Sequence, residues 1–152
     1  LPPGKTLAAS LVFLVVAACG TTRSFFGGNV TVEILTDPVI NQDSPVQVEL
    51  LVIYDDQLLQ QVLAQPAQSW FAKRQTILRN YPGTESFLSR YWELVPGQPR
   101  FQEELSFAVG ARATVVFANY ASPGDHRVLM DPHQDLYIHL GETDVSVSPL
   151  QQ

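Results

Sequence analysis

Apolar and polar positions alternate along most of the chain, and the two places where the alternation breaks divide it into parts. Residues 30–34 set Val30, Val32 and Ile34 against Thr31 and Glu33, the period of two that marks a half-buried strand. The stretch "TDPVINQDSP" that follows predicts a loop, because Pro38 and Pro45 interrupt pairing while Asp37, Asn41 and Asp43 suit turns. "VQVELLVIYD" starts with the same alternation and becomes continuously apolar, as a central strand covered on both faces does.

The period then changes. "DQLLQQVLAQ" brings Leu58, Leu59, Val62 and Leu63 onto one helical face behind a cap at Asp55 or Asp56. A second helix is predicted from Pro66, a residue favoured at a first helical position, to Tyr81. Its stripe is Trp70, Phe71, Ile77, Leu78 and Tyr81, and Pro82 with Gly83 ends it. Lys73, Arg74 and Arg79 are expected to form a solvated helix face rather than an anion site. From Tyr91 onward strands return at "RYWELV", "FQEELSFAV", "RATVVFANY", "HRVLM", "DLYIHL" and "TDVSV", separated by turn signals such as "PGQP" and "SPGD". About eight short strands imply a mainly β protein, an antiparallel β-sandwich over residues 30–150 with a helical insertion near 56–81, between strands two and three.

Ahead of the sandwich, residues 7–18 ("LAASLVFLVVAA") carry no charge and follow Lys5. A run of about a dozen residues is too short to span a bilayer, which takes about twenty, and it suits the apolar core of a signal peptide. Ala17 and Ala18 then precede Cys19, and "VAAC" resembles the bacterial lipobox. The resemblance implies that residues 1–18 are a lipoprotein signal peptide and that Cys19, acylated, becomes the first mature residue. It also implies that Gly20, where enterobacterial lipoproteins retained at the inner membrane carry Asp, directs the protein to the outer membrane. The competing reading is a buried N-terminal strand with an inert thiol. Residues 19–29 then read as the lipidated cysteine and a Gly-rich tether, with Phe25 and Phe26 as its bulky members.

Composition narrows the function. The net charge is −6, with too few and too scattered basic residues to coat a phosphate backbone, so nucleic acid is not an expected partner. One cysteine permits no intrachain disulfide, and stability must come from an apolar core. His126, His133 and His139 lie near Asp125, Asp131 and Asp135, a set of types that suits zinc or iron, yet they fall on different elements without the local ligand pairs of zinc motifs. There is no G-x-S-x-G elbow, P-loop or dinucleotide fingerprint, so neither catalysis nor a cofactor beyond the lipid on Cys19 is expected. Trp70, Phe71 and Trp92 admit two readings: an exposed aromatic surface in a periplasmic ligand-binding lipoprotein, or ordinary core packing.

A lipobox, a short tether, a strand and then "INQDSPVQVELLVIYD" is similar to the TssJ family of type VI secretion outer-membrane lipoproteins, matched at Asn41, Asp43, Ser44, Pro45, Val46 and Val48. "LVPGQ" and "ATVVFANYASPGDHRVLM" resemble the family's Pro-Gly turn and its central strand with the elements after it. The resemblance implies a transthyretin-like sandwich with a helical insertion. It also implies a scaffold role, in which the lipoprotein binds the periplasmic C-terminal region of the inner-membrane protein TssM. In the family the loop between the first two strands carries much of that contact. Here it maps onto Thr36 to Ser44, with Asp37, Val39, Ile40, Asn41, Gln42 and Asp43 most available, and Val39 and Ile40 as apolar anchors.

Overall fold

The computed structural model describes residues 27–151. The signal run, Cys19 and the tether up to residue 26 lie outside the described residues. Eight strands and two helices follow in order: β1 (Gly28–Thr36), β2 (Val46–Ile53), α1 (Asp56–Leu63), α2 (Ala67–Leu78), β3 (Phe87–Leu94), β4 (Phe101–Phe107), β5 (Ala113–Ala118), β6 (Arg127–Met130), β7 (Leu136–Leu140) and β8 (Val145–Pro149). The strands form two four-stranded sheets, β4-β1-β7-β8 and β3-β2-β5-β6, which meet as the expected sandwich with the helices inserted between β2 and β3. Every pairing is antiparallel except β1 with β7, where Val32 faces Leu136 and Thr36 faces Leu140 in parallel. A period-two pattern states which face a residue occupies and is silent on strand direction, so this departure from an all-antiparallel sandwich was not readable in the sequence.

The continuously apolar strands lie where two cores meet. The inward residues Val46, Val48, Leu50 and Val52 of β2 pack with Val32 and Ile34 of β1 and with Leu136, Ile138 and Leu140 of β7. The outward residues Leu51 and Ile53, with Val115 and Phe117 of β5, pack instead beneath Leu58, Val62 and Trp70 of the helices. The β3-β2-β5-β6 sheet is thus a middle layer, and fully burying each large aliphatic side chain in it contributes about 1.5–3 kcal/mol. β3 starts at Phe87, earlier than the alternation suggests, because Phe87 pairs with Ile53 and packs into the helix-side core.

Local signals place the helices. Asp55 caps α1 by accepting from Leu58 N at 2.8 Å. Arg127 of β6 ends α1 by donating from one guanidinium nitrogen to the Leu63 and Gln65 carbonyls, at 2.6 and 2.7 Å. Pro66 is the cap residue of α2, and Ala67 N donates to the Asp125 carbonyl at 2.8 Å.

One polar residue sits inside the apolar run of β2. Glu49 is fully buried on the helix-facing side. It accepts from Trp70 Nε1 at 2.8 Å, from Arg74 at 2.7 and 2.6 Å, and from Ser89 Oγ at 2.6 Å. Arg74 therefore does not belong to the solvated helix face. Its guanidinium, hydrogen-bonded to Glu49, is held above the ordinary arginine range. Lys73 and Arg79 are exposed, as expected. The indoles are core groups: Trp70 is fully buried and stacks on Phe117 with centroids 5.1 Å apart, and Trp92 is buried with its Nε1 donating to Glu103 at 3.0 Å. This removes the exposed tryptophan surface on which the ligand-binding alternative depended.

Candidate functional site

The nine residues of β1 carry the chain from its Gly28 end about 30 Å across the sandwich, at about 3.3 Å per residue, to the β1–β2 loop at the opposite end. In that loop Asn41, Gln42 and Asp43 have φ of 47°, 57° and 61° in succession, which is a turn of left-handed helix. Ser44 N closes it, lying 3.2 Å from both the Ile40 and the Asn41 carbonyls. Left-handed backbone costs about 1–2 kcal/mol for each residue with a Cβ, so three together persist only where the surroundings over-determine them. Asn and Asp tolerate this region better than most residues; Gln42 has no such excuse.

The surroundings do hold it. Asn41 Oδ1 accepts from Ala121 N at 2.7 Å, its Nδ2 donates to the Pro45 carbonyl at 3.1 Å, and its backbone N donates to the Glu142 carbonyl at 2.9 Å. Asp37 N donates to the Leu140 carbonyl at 2.9 Å, its carbonyl accepts from Gly97 N at 2.8 Å, and its carboxylate lies 2.8 Å from His139 Nε2. The β5–β6 loop is tied to the β7–β8 turn by Tyr120 Oη on the Gly141 carbonyl at 2.9 Å and by Ser122 Oγ on the Thr143 carbonyl at 2.6 Å. Buried His126 adds Nδ1 to Asp144 at 2.8 Å and Nε2 to the Ser122 carbonyl at 2.7 Å. Gly124, at φ 154°, is required here: a Cβ would lie 2.8 Å from His126 Cε1. The β1–β2, β3–β4, β5–β6 and β7–β8 connections thus form one cross-braced end.

Tyr120 makes that brace measurable. Burial, and then the nearby Asp144 and Asp37 carboxylates, push its phenol well above the ordinary value of 10.0. The unfolded chain therefore releases this proton first, so the stabilisation is complete below about pH 10 and declines as pH rises beyond it. Urea midpoints measured across alkaline pH should fall more steeply for the native protein than for Tyr120→Phe, and parallel slopes would show that the phenol is not linked to folding.

Of the residues assigned to the loop contact, the structure leaves Val39, Gln42 and Asp43 exposed, with Val39 at 49%. Ile40 is not an available anchor: it is 0% exposed and belongs to the main core, where it pins the loop from below. Asn41 and Asp37 spend their side chains inside the brace. The loop reading also missed Val95, 47% exposed on the β3–β4 turn, which Gly97 N ties to Asp37. Its only sequence signal was the Pro-Gly turn after it. Asp43 on the β1–β2 loop and Glu142 and Asp144 on the β7–β8 turn are exposed at the same braced end.

The histidines do not converge. His126 and His139 serve separate carboxylates at the braced end, and His133 lies beside Phe107, which pairs with Gly28 at the other end of β1. Among the described residues there is no group of three or more His, Cys, Asp or Glu placed to hold a metal.

A two-sheet, eight-stranded sandwich with a helical layer on its middle sheet, and with its loops braced at one end, defines a class of fold. It is the fold of the type VI secretion lipoproteins. The chain is similar to the T6SS lipoprotein TssJ1 from Pseudomonas aeruginosa, with a TM-score of 0.63 and 18% identity over 83% of this chain and 98% of that one. It is similar to Serratia marcescens Lip, a membrane-bound component of the type VI secretion system, with a TM-score of 0.61 and 18% identity over 83% of this chain and 99% of that one. A chain in the structure of the T6SS protein TssM C-terminal domain from EAEC matches with a TM-score of 0.59 and 15% identity, over 81% and 99% of the two chains. No protein-family model matches the sequence, and no curated protein does.

Proposed function

We propose that this protein is a non-catalytic lipoprotein that anchors a trans-envelope type VI secretion complex to the outer membrane and binds the periplasmic part of a TssM-like inner-membrane subunit. Acyl chains on Cys19 supply the membrane hold, since two or three chains anchor stably where one does not. The observation that carries this reading is the left-handed turn at Asn41, Gln42 and Asp43: backbone strain held rigid at an exposed loop is the mark of a pre-organised contact surface. The TssJ-like fold, and the presence of a chain with this fold in a TssM structure, support the choice of partner.

Pull-down from detergent extracts of the native host is expected to recover an inner-membrane TssM-like subunit. Val39→Asp should lower that recovery about tenfold, because a charge replaces an apolar anchor without disturbing the core. Unchanged recovery would reject the loop, and a mature protein without fatty chains on Cys19 would reject the anchor.

A further inference from the structure

The braced end continues into a furrow on the outer side of the middle sheet. Near the loop it is lined by Asn41, Pro45, Gln47, Gln68, Glu93 and Asn119, with a volume of about 440 Å³. Beyond Gln47, which both stretches share, a second stretch of about 550 Å³ runs between α2 and β3, lined by Phe71, Arg74, Gln75, Thr76, Arg79 and Tyr91. The floor follows from register: Gln47 pairs with Glu93 and Glu49 with Tyr91, so these side chains share the outer face of the sheet. α2 forms the wall, and the buried Glu49 to Arg74 bond holds it in place.

Charge marks the far stretch. Among the described residues Arg74, Arg90, Arg100, Arg112 and Arg127 each pair with a carboxylate. Lys73 and Arg79 have no such pair; both belong to α2 or its cap, and Arg79 lines the furrow. The charge of Arg74 is met by Glu49 and Glu93 lies at the near end, so Arg79 is the one cation of the furrow left without a carboxylate. Arg74 also lies 5.9 Å from the ring centroid of Tyr91, which is 41% exposed and lines the same stretch. Asn119 Nδ2 donates to Gln47 Oε1 at 3.0 Å and Gln68 Nε2 to the Tyr120 carbonyl at 3.4 Å, which leaves Gln47 Nε2, Gln68 Oε1, Asn119 Oδ1 and the Gln75 amide as donors and acceptors for a peptide backbone.

We infer that this furrow binds an extended acidic segment of the same partner that the β1–β2 loop engages, with its backbone on the amide floor and a carboxylate on Arg79. The inference rests on the proposed function, because the furrow opens beside Asn41 and Pro45 and one polypeptide can cover both surfaces without a break. Glu93 at the near end and Arg79 at the far end set the direction, with the acidic side chains of the segment lying away from the loop.

The test places the photocrosslinker p-benzoylphenylalanine at position 75 or at position 39 of the full-length lipoprotein in its native host and identifies the crosslinked peptides by mass spectrometry. Both positions are expected to capture one inner-membrane protein, position 75 through a peptide rich in Asp or Glu. Arg79→Glu should reduce capture at position 75 about tenfold, while Arg79→Lys keeps most of it. Capture at position 39 alone, or capture at position 75 of a different protein or of a segment without carboxylates, overturns the furrow and leaves the loop assignment standing. Capture at position 75 alone, through an acidic segment of an inner-membrane protein, removes the loop and overturns the inference of one partner on both surfaces. Capture at neither position overturns both.

Discussion

Ile40→Asp is expected to destabilise the protein by about 4 kcal/mol, where Val39→Asp next to it changes stability by less than about 0.5 kcal/mol. The two residues are neighbours in an apolar pair, yet Ile40 is fully buried in the main core and Val39 is half exposed. Putting a carboxylate at position 40 removes a packed aliphatic side chain and asks for an ion in the apolar main core. Expelling that side chain from the core also displaces the left-handed turn that starts at the next residue, since the Ile40 carbonyl is one of the two acceptors of Ser44 N. Urea titration of both variants separates the roles. Equal stability losses would mean that the loop does not enter the core as described. The contrast also decides how the binding surface is probed: a loss of partner binding in Ile40→Asp reports a collapsed loop, and a loss in Val39→Asp reports the contact itself.

Arg74→Ala is the second large effect, expected to cost about 3 kcal/mol, because it strands the buried Glu49 carboxylate with neutral donors only. The pair is asymmetric, with Glu49 at 0% exposure and Arg74 at 26%, so the cost lies in leaving the acid unpaired more than in losing the cation. Removing both charges while keeping an acceptor, as in Glu49→Gln with Arg74→Met, should recover most of that stability, since no ion is then buried and the amide oxygen still accepts from Trp70 Nε1. A double-mutant cycle by urea denaturation measures the coupling, and a coupling below about 0.5 kcal/mol would show that water reaches Glu49. Trp70 fluorescence gives an independent readout, because its Nε1 donates to the same carboxylate.

Much of the architecture was written in local pattern. Val30, Val32 and Ile34 announced β1 and its buried face, and the unbroken apolar half of β2 announced cover on both sides, which the helices and the second sheet supply. Asp55, the Pro66 start and the Pro82-Gly83 stop bounded the insertion to within a few residues. The site was legible as a location and not as a surface. The loop stood between two prolines, but whether Val39 or Ile40 faced solvent depended on a left-handed turn whose only local hints were Asn41 and Asp43. Val95 joined the candidate surface through a hydrogen bond from Gly97 to Asp37, between residues far apart in the chain. Trp70 and Arg74 were assigned from helical periodicity alone, which placed Trp70 correctly on the buried stripe and put Arg74 on the wrong face because its partner lies on β2.

By itself the sequence determined the strands, the helical insertion and the turn positions, because each depends on residues within a turn or two of one another. Tertiary structure alone decided the parallel pairing of β1 with β7, the burial of Ile40, the ion pair beneath α2 and the braced loop end. Each of those brings together residues distant in the chain, and their balance of desolvation, hydrogen bonding and backbone strain exists only once the two sheets and the helical layer are packed.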